Sequence, residues 1–264
     1  MRLVTWNINS VRLRIDLLQR LAQEQSPDVI CLQETKVVDD LFPADAIKDM
    51  GYPHIAFTGM KGYNGVAILS RLPLNNVTCL QWCNKADCRH ISAQLPGGIE
   101  LHNFYIPAGG DAPDPCENEK FAHKLSFLDE MATWFAENRS SGQKMVLVGD
   151  LNIAPLEMDV WSHIQLLKVV SHTPIEVEKL SALQTQSAWI DAVRHFIPDT
   201  ERLYSWWSYR SRDWTKADRG RRLDHVWVTP PLESALSGAS VFRDARSWEK
   251  PSDHAPVIVD INTE

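Results

Sequence analysis

Short runs of apolar and β-branched residues recur along the chain, and each run is closed by polar or turn-forming residues. Such runs are typical of buried strands. The predicted strands cover residues 3–8, 28–32, 65–70, 100–106, 144–148, 223–228 and 255–261. The strand–helix–strand order at the start of the chain predicts crossover units, and the closely spaced strands between residues 65 and 106 predict antiparallel hairpins.

Two segments, 11–25 and 119–138, carry apolar residues at helical spacing and are predicted helices. The first ends before Pro27, because proline cannot continue a helix. Residues 107–118 form the one long irregular stretch, and a loop of this length is usually functional. No repeat or Gly/Ser linker divides the sequence, so we predict a single α/β domain over residues 1–264.

The composition excludes several classes of protein. Its 44% hydrophobic residues and 10 tryptophans exclude disorder. The net charge of −7 argues against a protein that coats nucleic acid or anionic membranes indiscriminately. No apolar run reaches the ~18 residues of a membrane-spanning helix, and the first residues resemble a strand rather than a signal peptide. We therefore expect a cytoplasmic protein that does not bind membranes.

The 5 cysteines also favour a reducing compartment, because an odd number does not suit a disulfide framework. Cys79, Cys83, Cys88 and His90 are a conceivable zinc site, but they lack a close Cys-x-x-Cys pair. Structural or merely exposed thiols are the better interpretation.

Polar residues cluster where the predicted strands begin or end. They are Asn7, Asn9, Gln33, Glu34, Asp150, Asn152, Asp224, Asp253 and His254. Each residue alone is explained as a turn former or an exposed charge. Because the ends of neighbouring strands meet at one edge of a sheet, their coincidence favours a common site there.

The chemistry of such a site is restricted. Glu34, Asp253 and the Asn7 carbonyl are hard oxygen ligands that suit Mg²⁺ or Mn²⁺. Asp150 could hold or deprotonate a water molecule, and a histidine oriented by a carboxylate can donate to an anionic oxygen. These groups suit hydrolysis of a phosphate ester. The sequence contains no Gly-x-Ser-x-Gly, Walker or Gly-x-Gly-x-x-Gly motif, which disfavours acyl-transfer, NTPase and dinucleotide-binding functions.

The segment 204–222 is aromatic and basic, with 6 basic and 2 acidic residues in 210–222. Arginine pairs with phosphates, and aromatic rings stack on bases or fill the gap left by an unstacked base. A solvated basic loop beside a core tryptophan cluster is the alternative, and it holds for some of these tryptophans. For the whole segment we favour a surface that faces nucleic acid.

Several blocks together resemble the exonuclease III / AP endonuclease family of the endonuclease/exonuclease/phosphatase superfamily. They are Trp6-Asn7-Ile8-Asn9, Leu32-Gln33-Glu34-Thr35-Lys36, Gly149-Asp150-Leu151-Asn152, Leu223-Asp224-His225 and Ser252-Asp253-His254-Ala255-Pro256. The resemblance implies a four-layer α/β sandwich, in which two mixed β-sheets pack face to face and are flanked by helices.

The resemblance also implies a function. A member of this family would be a monomer that uses Mg²⁺, with Mn²⁺ as an alternative, to cleave duplex DNA 5′ to abasic sites. Removal of 3′-terminal nucleotides and of 3′ blocking groups would be related activities.

Roles for individual residues follow from the resemblance as expectations. The implied catalytic residues are Tyr105, Asp150, Asn152, Asp224 and His254. The implied surroundings of the metal are Asn7, Glu34, Asp150, Asn152, Asp253 and His254. The implied DNA contacts are Asn9, Lys36, Trp206, Arg210, Arg219 and Arg221. The general base is left open among Asp150, His254 and Tyr105.

Two alternatives remain at the level of sequence. A phosphatase or phosphodiesterase of the same superfamily acting on a non-DNA ester would make segment 204–222 dispensable. A DNA-binding protein without catalysis is disfavoured, because carboxylates repel phosphate. Ala108 and the arginine-free loop 109–118 depart from relatives and leave the balance of endonuclease and exonuclease activity open.

Overall fold

The computed structural model describes residues 1–211 and 213–263. In chain order the strands are β1 Arg2–Asn7, β2 Val29–Gln33, β3 His54–Thr58, β4 Val66–Ser70, β5 Asn75–Thr78, β6 His90–Leu95, β7 Ile99–Tyr105, β8 Met145–Asp150, β9 Ile190–Asp191, β10 Trp206–Trp207, β11 Gly220–Arg221, β12 Asp224–Val228, β13 Leu236–Val241 and β14 Val257–Ile261. The α-helices are α1 Ile15–Gln25, α2 Ala44–Asp49, α3 Glu119–Asn138, α4 His163–Leu166, α5 Pro174–Gln186 and α6 Trp214–Ala217.

Most strands belong to two six-stranded sheets. The first sheet has the order β13-β14-β1-β2-β4-β3, and the second has the order β5-β6-β7-β8-β12-β9. Each sheet is mixed, because β1 pairs with β2 and β7 pairs with β8 in parallel while the other pairs are antiparallel. The predicted crossover β1–α1–β2 is confirmed. The prediction of antiparallel hairpins between residues 65 and 106 is also confirmed, although the strands that form them, β5–β6 and β6–β7, include two that were not predicted, β5 and β6.

Three apolar clusters define the layers. One lies between the sheets and joins residues such as Leu3 and Cys31 of the first sheet to Val146 and Val226 of the second. A second cluster packs α1 and α2 on the outer face of the first sheet. A third packs α3 and α5 on the outer face of the second sheet. The predicted four-layer α/β sandwich is therefore confirmed.

The alternation of side chains explains why the central strands have continuous apolar sequences. On β1, Leu3 points to the inter-sheet core, whereas Val4 and Trp6 belong to the cluster under the helices. Both faces of a central strand are covered, so every position of β1 after Arg2 is buried. Helix α3 matches its prediction, whereas the first predicted helix begins at Ile15, because residues 11–14 form a turn.

Gly149 on β8 is a position where a side chain has no room. Its φ is +144°, and a Cβ there would lie 1.9 Å from the Phe104 carbonyl oxygen of β7. We expect Gly149→Ala to lower the free energy of unfolding by about 3 kcal/mol, because the clash is with backbone. Urea denaturation measures this. Gly142→Ala is the control, since the nearest atom is 3.6 Å away, and an equal loss in both variants would contradict the argument.

Candidate active site

The register of three adjacent strands brings the candidate catalytic residues together. Tyr105 on β7 is paired with Asp150 on β8, and Asp150 is paired with Asp224 on β12. His254 comes from the segment before β14 and is bridged to Trp206. These residues are far apart in the sequence, and strand pairing places them at one edge of the sandwich.

Asn7 links the two sheets at this edge. Its Nδ2 donates to Glu34 Oε1 at 2.9 Å and to Asp150 Oδ2 at 2.8 Å. The Tyr105 hydroxyl donates to the same Glu34 oxygen at 2.9 Å. One amide and one phenol therefore hold a carboxylate of the first sheet beside a carboxylate of the second.

Left-handed backbone conformations aim several of these side chains. Asn9, Glu34, Lys36 and Asn152 all have φ between +49° and +55°. Such conformations are unfavourable for residues with a side chain and persist where the surroundings hold them. Lys36 Nζ contacts Glu34 Oε2 at 2.6 Å and Asn9 Oδ1 at 2.7 Å. The predicted DNA contacts Asn9 and Lys36 are therefore part of the hydrogen-bond network around Glu34.

A buried Ser–Asp–His chain lies opposite Glu34. Asp224 Oδ2 accepts from Ser205 Oγ at 2.6 Å and from His254 Nδ1 at 2.8 Å. The other ring nitrogen, Nε2, lies 3.7 Å from Asp150 Oδ2. Carboxylates on both nitrogens favour a doubly protonated ring, which makes His254 a donor.

The electrostatics agree with this geometry. Burial lowers the pKa of His254, but the carboxylates of Asp224 and Asp150 outweigh it and raise the value to about 10. Burial raises the pKa of Asp150 to about 7. Burial also raises the pKa of Glu34, but Lys36 and the Asn7 amide hold it below its usual range. Burial and the neighbouring carboxylates hold the pKa of Tyr105 well above its usual range, so the phenol keeps its proton.

The donor set fits a divalent cation. Four carboxylates (Glu34, Asp150, Asp224 and Asp253) lie with two cationic side chains, Lys36 and His254, which leaves an excess of negative charge in this cluster. Asp150, Asp224 and His254 are buried, and the other three are half-buried. Asp224 Oδ1 is buried without a hydrogen-bond partner. Asp150, Asp224 and His254 bring possible ligand atoms within 4.8 Å of one another, the one such group among residues 1–211 and 213–263. A doubly protonated His254 has no free lone pair, so the carboxylates are the metal-binding members of this group. The cysteines near residue 83 form no comparable group within those ranges.

A cavity of about 930 Å³ opens above this cluster. Its floor includes Glu34, Tyr105, Asp150, Asn152 and His254. Its walls are aromatic and basic, and they include Trp161, Trp206, Trp214, Arg210, Arg219 and Arg221. Segment 204–222 therefore faces the candidate catalytic residues, although Arg212 lies outside the described residues.

The predicted DNA-contacting residues of this segment differ in their surroundings. Arg210 is exposed, and the Arg219 guanidinium lies 4.7 Å from the centre of the Trp161 ring. Arg221 lies over Trp206 and donates to the Val170 carbonyl and to Ser171 Oγ at 2.8 Å. Arg221 is thus tied into the cavity wall. The Trp206 indole donates to Asp253 Oδ2 at 2.9 Å, which also fixes that carboxylate.

Sequence reasoning missed several residues that shape the site. Ser205 supports Asp224, and Ser171 and Val170 line the cavity. Ser205 lies within the aromatic, basic segment 204–222, next to Trp206, so a signal for it was available in the sequence. The loop containing Val170 and Ser171 has no chemical signature, because its position depends on packing of Val170 against Phe121 and Leu125 of α3 and on the bond from Ser171 to Glu176.

The sequence matches the Endonuclease/Exonuclease/phosphatase family over residues 4–254. The chain belongs to this family. It is 30% identical to exodeoxyribonuclease III of Haemophilus influenzae over 97% of this chain and 98% of that protein. The predicted family is therefore confirmed.

Two solved structures of the same family are close to this fold. An AP endonuclease from Archaeoglobus fulgidus has a TM-score of 0.93 and 31% identity, with 100% of both chains covered. The 3′ phosphatase NExo from Neisseria, bound to a product DNA hairpin, has a TM-score of 0.90 and 30% identity, again with 100% of both chains covered. These likenesses confirm the prediction of a metal-dependent DNA repair nuclease of the exonuclease III type. No helix of the described residues is long and apolar enough to cross a membrane.

Proposed function

We propose that the protein is a Mg²⁺-dependent nuclease that cleaves duplex DNA 5′ to abasic sites and removes 3′-terminal nucleotides or blocking groups. The observation that carries this proposal is the juxtaposition of a buried carboxylate–imidazole cluster with a basic, aromatic cavity wall. Cleavage of DNA requires residues that hydrolyse the phosphodiester and residues that bind the neighbouring phosphates and sugars. The cluster at the base of the cavity suits the first task, and the basic, aromatic wall suits the second.

Glu34 and Asp253, with Asn7 nearby, would hold the metal through their oxygen atoms. Asp150, Asn152 and His254 lie around the same space. A bound Mg²⁺ would polarise the phosphate and stabilise the charge that develops on it. Oxygen-only donors from carboxylates and an amide match Mg²⁺, and Mn²⁺ as a substitute, better than a thiophilic ion.

Hydrogen bonds divide the remaining roles. His254 carries carboxylates at both ring nitrogens, and its Nε2, 3.7 Å from Asp150 Oδ2, can donate toward a phosphate oxygen. The single hydroxyl hydrogen of Tyr105 is donated to Glu34, so Tyr105 would donate to the phosphate only after leaving that carboxylate. In its ionised form the Asp150 carboxylate only accepts hydrogen bonds, which favours it as the general base toward water. Asn152 Nδ2 already donates to the Ile106 carbonyl at 2.9 Å, so its second amide hydrogen is free for the phosphate.

The apolar part of the wall supports selectivity for a sugar without a base. Trp206 packs in one cluster with Val160, Leu223 and Trp161 beside the catalytic floor. Moving a nucleotide out of the duplex requires unstacking, and less free energy is needed where the base is already missing. A flat aromatic wall next to the phosphate-binding groups therefore favours an extruded abasic sugar.

The deciding experiment uses three labelled duplexes, with an internal abasic analogue, a recessed 3′ end or a 3′ phosphate. We expect product on gels with Mg²⁺ or Mn²⁺ and at least a hundredfold less with EDTA, since metal assistance contributes several kcal/mol (roughly a hundredfold or more). Absence of cleavage on all three duplexes would overturn the proposal. Hydrolysis of a small phosphate ester that unlabelled duplex fails to inhibit would favour the non-DNA phosphatase instead.

A charge reversal at Arg219 tests the DNA-facing wall. We expect Arg219→Glu to weaken binding of an abasic duplex about tenfold, and to reduce the slope of log Kd against log salt by about one for each lost phosphate contact. Fluorescence anisotropy at several salt concentrations measures both quantities. The control is Lys144→Glu, since Lys144 is exposed and precedes β8 at the end opposite Asp150. Equal losses in the two variants would refute the assignment of this wall.

Three further predictions stay part of this proposal. They are a single catalytic domain over residues 1–264, a monomeric state and a cytoplasmic location. Sedimentation of the purified protein tests the monomeric state directly.

A further inference from the structure

Lys124 on α3 and Glu176 on α5 form an ion pair in the interior, behind the catalytic cavity. Both side chains are completely buried, with 0% exposure. Removing two charges from water is unfavourable by several kcal/mol per ion, and well-packed apolar residues are often equally stable or more stable at such a position. The contacts that the pair makes therefore indicate its role better than its contribution to stability does.

Lys124 holds the backbone of a predicted catalytic residue. Its Nζ donates to the Asn152 carbonyl at 2.8 Å and faces the Ala108 carbonyl at 3.4 Å, in addition to Glu176. On the other side of Asn152, its N–H donates to Asp150 Oδ1 at 3.0 Å. Asn152 has a φ of +55°, a conformation that persists only where the surroundings hold it. Lys124 thus holds the carbonyl of Asn152, and Asp150 holds its backbone N–H. These two bonds fix the backbone of Asn152 and therefore the direction in which its side-chain amide points.

Glu176 holds the cavity wall. Its carboxylate accepts from the Ser171 N–H at 3.0 Å, the Thr173 N–H at 3.1 Å and the Thr173 hydroxyl at 2.6 Å. This capping box begins α5. Ser171 lines the cavity, and its hydroxyl accepts from Arg221, which lies over Trp206. One carboxylate therefore fixes the loop on which that wall rests.

We propose that Lys124 and Glu176 are positioning residues for the cleavage reaction, joining the catalytic floor at Asn152 to the cavity wall at Ser171. The role rests on the proposed function, in which Asn152 contacts the scissile phosphate. Neither residue touches the substrate. Their effect is expected in the transition state, because a small misplacement of a catalytic group lowers the rate more than it weakens binding.

The chain supplies a matched control between the same two helices. Lys179 of α5 contacts Asp129 of α3 at 2.5 Å and 2.7 Å, on the protein surface. Removing this pair loosens the same helix–helix contact without touching Asn152 or Ser171. Lys179→Met is therefore expected to change kcat less than about twofold.

The experiment measures kcat and KM on the preferred duplex, at a temperature at which each variant is shown by circular dichroism to be folded. For the double variant Lys124→Met/Glu176→Gln, which leaves no unpaired buried charge, we expect kcat to fall about 10- to 100-fold with KM changed less than about threefold. Lys124→Arg, which keeps the charge and a donor, is expected to retain more of the kcat than Lys124→Met.

The outcomes separate this role from the proposed function. A wild-type protein that cleaves no duplex overturns the proposed function, and the positioning role with it. An active wild type whose double variant keeps kcat within about threefold overturns the positioning role alone. If the double variant does not fold, Glu176→Gln decides. It keeps the shape of the side chain but cannot accept all three bonds, so a kcat equal to that of the wild type overturns the role.

Discussion

Replacing Asp150 with asparagine is expected to lower kcat for DNA cleavage by about a thousandfold. Positioned general-base catalysis contributes roughly 10²–10⁴ in rate, and an amide cannot take the proton from water. The substitution also disturbs the acceptors for Asn7 Nδ2 and the Asn152 N–H, because an amide offers only one oxygen. DNA binding is expected to be equal or tighter, since a negative charge beside the phosphate is removed.

Single-turnover cleavage on gels and anisotropy with the same duplex measure the two effects of Asp150→Asn. Asp45→Asn is the control, because Asp45 lies on α2 with its side chain 97% exposed. If Asp150→Asn keeps more than about a tenth of the wild-type kcat, Asp150 is not the general base. Loss of binding in parallel with cleavage would instead indicate that the variant has lost the shape of the site.

Replacing Asp224 with asparagine is expected to lower kcat by at least about a hundredfold. Asp224 Oδ2 accepts from both Ser205 and His254 Nδ1, and an amide in its place cannot hold the imidazole in its doubly protonated form. In other enzymes, breaking a buried Asp–His bond of this kind lowers the rate by up to ~10⁴.

Ser205→Ala is the matched comparison for Asp224→Asn. It removes one hydrogen bond to Asp224 and leaves the Asp224–His254 bond in place, so we expect a loss of less than about tenfold. Steady-state kinetics and the ¹⁵N spectrum of the His254 ring test the pair. Equal losses in both variants, or an unchanged imidazole spectrum in Asp224→Asn, would show that Asp224 acts only on the local packing.

The prediction of strands succeeded in the centre of each sheet and failed at its edges. Strands β1, β2, β4, β7, β8, β12 and β14 were predicted within about two residues of their bounds. The four edge strands, β3, β13, β5 and β9, were not predicted. An edge strand is partly exposed, so it lacks a continuous apolar run, and all four residues of β5 are exposed. The inner strand β6 was missed because it carries polar residues such as His90 and Gln94.

Helix α5 shows a signal that was present in the sequence. The residues Thr173-Pro174-Ile175-Glu176 form a capping box with proline at the first helical position, which is a sequence signature of a helix start. The apolar pattern after it is weak, because the buried face of α5 includes the charged Glu176 while the apolar Ile175 is exposed. The helix was therefore not predicted from its apolar pattern, although the capping box marks where it begins.

The sequence by itself determined the family and the chemical types of the site. Its blocks contain carboxylates, amides and a histidine next to apolar runs, and these types suit a metal, a water and a phosphate. Such residues are local features of the chain and can be read without a structure.

Only the tertiary structure decided which of these residues meet. Asn7 and Asp150 are 143 positions apart in the sequence. The Asn7 Nδ2 atom nevertheless lies 2.8 Å from Asp150 Oδ2, because β1 and β8 belong to facing sheets. Strand register and helix packing also place three residues at the site that were not predicted from the sequence, namely Ser205, Lys124 and Glu176. The physical reason is that contacts between distant segments depend on pairing and burial of whole elements, whereas the pattern of a single segment records only its own periodicity and exposure.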